Sequence, residues 1–148
     1  MKKMVIEIYG VGEVGKSNSV IRISEKIKKL KKTKTTTYKF NGSTSELHEI
    51  LENSSIKIGL DAQGDPGTNL KKRIQSLVAE KCDIIICTCR TYGKTVEAIE
   101  TSCNKYQIIW VKKCAIYSDI DEKHLRKMDN KNTANIAIKT IKKHYQVT

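Results

Sequence analysis

Long apolar runs are missing from this chain. Its 39% hydrophobic content is spread in short blocks over 148 residues, and no block approaches the roughly 18 consecutive apolar residues that a membrane span needs. A soluble, cytoplasmic protein is expected. Lys2 and Lys3 precede an apolar stretch that already stops at Glu7, with no small-residue cleavage site after it, so no secretory signal is predicted. No linker is long or polar enough to divide the chain and no repeat occurs, so a single domain over residues 1–148 is expected. Aromatic residues are only 5%, and there are only four arginines, Arg22, Arg73, Arg90 and Arg126. These are the groups with which specific nucleic-acid readers stack on bases and grip them bidentately. The five cysteines are odd in number and lack paired metal-ligand spacing, which argues against a zinc site and for reduced, mostly buried thiols.

Lysine is abundant instead. A formal charge of +12 makes attraction to polyanions physically reasonable without naming one. The densest run, Lys26, Lys28, Lys29, Lys31, Lys32 and Lys34, closes a predicted helix, where positive charge suits the dipole. Weak, sequence-blind binding of nucleic acid through the basic surface is the most expected of it.

Apolar and amphipathic blocks alternate from end to end. Strands are predicted over residues 4–9, 33–40, 56–60, 82–89 and 107–111. Val20, Ile23, Ile27 and Leu30 share one face of a helix over 17–30. Ser43 and Glu46 read as a capping box opening a helix to about residue 53. Further helices are predicted at 70–78 and 91–101, and one or two over 121–145 with a break near 130–132. "CDIIICTC" is the continuous apolar run of a central parallel strand. The expectation is an α/β fold: a mostly parallel five-stranded sheet, right-handed and doubly wound, with helices on both faces.

Between the first strand and the first helix lies "IYGVGEVGKS". Gly10, Gly15, Lys16 and Ser17 satisfy G-x-x-x-x-G-K-[ST], in the strand-turn-helix setting the pattern requires. Glycines let a chain turn with its amides pointed inward, and with the helix N-terminus those amides can surround phosphate oxygens. Gly10, Val11, Gly12, Glu13, Val14, Gly15, Lys16, Ser17 and Asn18 form the predicted cradle. Lys16 is expected to face solvent until it reaches β- and γ-phosphates, and the Ser17 hydroxyl to ligate magnesium. The chain here resembles the P-loop nucleoside triphosphatases, with "GVGEVGKS" as the Walker A motif. That resemblance implies a three-layer P-loop fold that binds ATP or GTP with Mg2+ and hydrolyses it slowly without a partner.

The same resemblance implies an acidic partner at the end of another buried strand. Asp61 follows an apolar strand directly and matches a Walker B aspartate, with Asp65 in reserve; Asp61 and Ser17 are the predicted metal residues. "DAQG", Asp61 to Gly64, is similar to the D-x-x-G of GTPase switch regions, which makes Gly64 a γ-phosphate contact. Gln63 and Asp65 are candidates to orient water, although Gln63 precedes the glycine where the Ras-like glutamine follows it. The guanine-specific N-K-x-D is absent, "IIWVKKCA" standing in its place. "LDAQGDPGTNL" is similar to a segment of ParA and MinD-like ATPases, whose signature lysine is replaced by Val11. Arg90 falls at the carboxyl edge of the sheet, where open α/β folds bind ligands, and is a candidate phosphate contact. His48, His124 and His144 read as surface residues. A small phosphotransferase and a non-catalytic nucleotide- or nucleic-acid-binding switch are the alternatives.

Overall fold

A computed structural model describes residues 2–12, 14–30, 33–37, 47–63, 67 and 69–145. Among the described residues six strands and four helices follow in the order β1 (Met4–Tyr9), α1 (Lys16–Lys28), β2 (Lys34–Thr37), β3 (His48–Glu52), β4 (Lys57–Asp61), α2 (Leu70–Ala79), β5 (Ile84–Cys89), α3 (Lys94–Ser102), β6 (Gln107–Lys112) and α4 (Glu122–Tyr145). The strands make one mixed sheet in the order β2-β3-β4-β5-β1-β6. β4, β5, β1 and β6 are parallel, and β3 and β2 are added antiparallel at one edge.

The sheet is covered on both sides, which is why β1 and β5 read as unbroken apolar runs rather than alternating ones. Ile6, Ile8, Leu60, Ile84 and Ile86 pack with Val20, Ile23 and Ile27 of α1 and Ala134, Ala137 and Ile141 of α4. Val5, Ile85, Cys87 and Cys89 meet Leu70, Ile74 and Leu77 of α2 and Ile99 of α3 on the other face. Burying one such aliphatic side chain contributes roughly 1.5–3 kcal/mol, so these two layers dominate the stability.

Two expectations are corrected. Residues 48–52 form a strand, not the end of a helix, and the sheet therefore has six strands rather than five. Leu47, Ile50 and Leu51 have helical spacing, but Leu51 is buried on the α1 side and Ile50 on the α2 side. Only an extended segment covered on both faces puts adjacent residues into opposite cores. Ser43 and Glu46, the supposed capping box, lie outside the described residues. The terminal helix also runs unbroken through residues 130–132, because Asn130 is buried and hydrogen-bonded inside the fold rather than ending a helix.

Candidate functional site

All parallel strands end on one side, so the turns after β1, β4, β5 and β6 converge there. The turn after β1 enters α1 through Gly15, whose φ of 88° is a left-handed conformation that glycine adopts without cost. α1 has no side-chain cap and no acidic residue in its first turn. The positive end of its dipole faces the turn. The turn is also crowded. A Cβ on Gly10 would stand 2.6 Å from the Lys113 carbonyl oxygen, and one on Gly12 2.5 Å from the Arg90 guanidinium.

Lys16 departs from expectation: it is buried, and its ammonium donates to the carbonyls of Gly10 at 3.1 Å and Val11 at 2.5 Å. A cation withdrawn from water needs acceptors, and the turn's own carbonyls are the nearest ones. Ser17 Oγ donates to the Ala62 carbonyl at 2.5 Å, which ties α1 to the end of β4 even though β5 separates β4 from β1. Val14 is buried and Val11 and Asn18 are exposed, while Glu13 lies outside the described residues, as do Gly64 and Asp65.

Asp61 is fully buried and holds four donors. Oδ2 accepts Arg73 Nε and His48 Nδ1, each at 2.7 Å, and Oδ1 accepts Arg73 Nη2 at 3.2 Å and the Gln63 amide at 3.1 Å. Arg73 also donates to the Gln63 carbonyl. A carboxylate offers about four lone-pair positions, so in this arrangement Asp61 is fully engaged within the protein. His48 is thus corrected from a surface residue to a buried one, whose second ring nitrogen lies 3.3 Å from Ser76 Oγ. His124 and His144 are exposed, as expected.

Arg90 is brought to the turn, its guanidinium over Gly12, and its amide donates to Thr95 Oγ1 of α3 at 3.1 Å. With Val11, Thr91 and Tyr92 it lines a cavity of about 240 Å3. Two further residues brace the turn from below and were not singled out as site residues. Lys113 is buried, pairs with Asp129, and donates to Asn130 Oδ1 at 2.9 Å. Asn130 Oδ1 also accepts Ser19 Oγ at 3.3 Å, and its carboxamide fills the space a Cβ on Gly15 would need. Arg73 left a faint signal in the sequence, since it stands at i+3 from Leu70, inside the apolar stripe of α2. Asn130 left none, because an asparagine in a polar stretch looks like a helix break.

Among the described residues no cluster of three His, Cys, Asp or Glu side chains could hold a metal, and no helix is long and apolar enough to cross a membrane. Comparison of the chain with protein-family models, with known proteins and with solved structures finds no match.

Proposed function

We propose that the turn between β1 and α1 is a phosphate-binding loop, and that the protein is a P-loop-like α/β domain that binds ATP or GTP with Mg2+ and hydrolyses it slowly. The observation that carries this reading is the uncapped start of α1 behind a glycine-built turn, with Lys16 folded onto the turn's own carbonyls. Those carbonyls hold the ammonium where an anion in the cradle would take it over, and the α1 amides face the same space.

The residues fit the nucleotide's phosphates and fit the metal in part. Lys16 supplies the point charge and Arg90 flanks Gly12, while Lys113, Arg90 and Asn130 pack closely against Gly10, Gly12 and Gly15, where no side chain would fit. The Ser17 hydroxyl would be the protein's ligand to magnesium, a cation that neutralises phosphate charge when bound. Asp61 joins that site only by giving up part of its bonding to Arg73 and His48. The same network holds the Gln63 backbone at both its amide and its carbonyl. This occupied carboxylate supports slow turnover, or a nucleotide-dependent switch, over rapid hydrolysis.

Calorimetric titration with a non-hydrolysable triphosphate and magnesium tests the reading, alongside phosphate release from ATP and GTP. Wild type is expected to bind, and Lys16→Ala, checked for folding by circular dichroism, to lose most of the affinity. Equal affinity in the folded variant and the wild type would sink the assignment.

A further inference from the structure

The positive charge is not evenly distributed. α1 and α4, the layer on one face of the sheet, carry eleven basic and three acidic residues, a net +8 of the chain's +12. α2 and α3, on the other face, carry four basic and two acidic. Lys123, Lys127, Lys131, Lys139, Lys142 and Lys143 of α4 are all exposed, since the apolar side of this 24-residue helix is packed on the sheet. At 1.5 Å per residue the lysines run along about 30 Å.

Between the two helices lies a groove of about 530 Å3, lined among others by Arg22 and Glu25 of α1 and by Lys123, Arg126 and Lys127 of α4. At its α4 end, the Arg126 guanidinium sits 5.9 Å from the ring centroid of Tyr117, which is 80% exposed, and Ile120 beside it is 96% exposed. Arg126 is held there by Glu122 at 2.6 Å and by the Ile116 carbonyl at 3.2 Å. A fixed guanidinium on an open aromatic ring makes a ledge on which a base can stack, and the flanking cations follow a phosphate backbone.

We infer that this α1/α4 groove binds single-stranded nucleic acid without sequence preference. The sequence places the densest lysine run at residues 26–34; the fold instead joins Arg22 to the distant Lys123, Arg126 and Lys127, beside Tyr117. A membrane surface fits less well, because the exposed apolar residues of α4, Leu125, Met128 and Ile136, are scattered among its exposed lysines rather than gathered in one patch. The inference goes beyond the nucleotide reading and does not depend on it.

Fluorescence polarisation with a labelled 20-nucleotide single strand of mixed sequence tests it on the whole chain. Four cations on phosphates give a salt slope of about −2.8, so affinity should fall about fiftyfold between 50 and 200 mM salt. Lys123→Gln with Arg126→Gln and Lys127→Gln should weaken binding at least tenfold at 50 mM salt. The triple Lys71→Gln, Lys72→Gln and Lys94→Gln, which removes the same charge from the opposite face, should change it less than twofold. Tyr117→Ala should weaken binding severalfold, and Lys16→Ala should leave it unchanged. In unmutated protein, photocrosslinks from a thiouridine-bearing strand should map to α1, α4 and Tyr117, which guards against misfolded variants. Equal losses from both triples, crosslinks on α2 and α3, or equally tight binding to anionic vesicles or polyglutamate would overturn the inference.

Discussion

Glu7 stands in the middle of β1, between β5 and β6, with no exposure to solvent. Its Oε2 accepts the Cys87 thiol at 2.8 Å, while Oε1 is a buried oxygen without a hydrogen-bond partner among the described residues. Burial raises its pKa from 4.5 to about 7; hydrogen bonds from Cys87 and Cys89 lower it against that trend, and the Asp61 charge raises it further. The folded state therefore holds this proton where the unfolded chain has released it, so the associated stability is fully present below pH 4.5 and is lost as pH rises through 7. Linkage makes the loss about 2.5 kcal/mol between pH 5 and pH 8. Glu7→Gln removes the titration and keeps the shape. At pH 5 the two proteins should differ little in how protonation contributes, and by pH 8 the variant should have gained about 2.5 kcal/mol on the wild type. Guanidinium unfolding followed by circular dichroism at pH 5, 6, 7 and 8 measures the difference directly. Taking the difference between the two proteins cancels every other titrating group. A difference that stays flat with pH, or moves the other way, would refute the reasoning.

Other outcomes follow from the same structure. Arg73→Met leaves the Asp61 carboxylate buried without its main cation and should cost about 3–5 kcal/mol in chemical denaturation, whereas an exposed Lys72→Met should cost under about 0.5 kcal/mol. Gly15→Ala meets both a left-handed φ and the Asn130 carboxamide, so it should destabilise by about 1–3 kcal/mol and weaken triphosphate binding in titration. Asn130→Ala should lower the melting temperature while leaving the circular dichroism spectrum helical, since α4 continues on both sides of it. Of five thiols, only Cys114 is exposed. Burial pushes Cys82 and Cys103 up to about 12 and raises Cys87 and Cys89 as well, so a thiol reagent at pH 7.5 should modify one cysteine quickly and four only on unfolding. Fast reaction of two or more would contradict the described packing.

Elements whose physics is local were legible in the sequence. β1, β4, β5 and β6 announce themselves as apolar runs of strand length, and α1 and α2 as apolar stripes of period 3.6, because burial on one or two faces writes that pattern into neighbouring residues. The glycine turn before α1 is legible for the same reason, since its backbone demand falls on consecutive positions. What the residues could not show alone was everything set by partners distant in the chain. Residues 48–52 have helical spacing and become a strand because β4 and β2 pair with them. His48 and Arg73 meet Asp61 from 13 and 12 residues away, and Lys113 and Asn130 reach the glycine turn from more than a hundred. The sequence by itself determined the α/β layers and the glycine turn that enters α1, both products of local pattern. Tertiary structure alone decided that Lys16 turns inward and that Asp61 is fully bonded, because only packing removes water from a charge and obliges it to find protein partners.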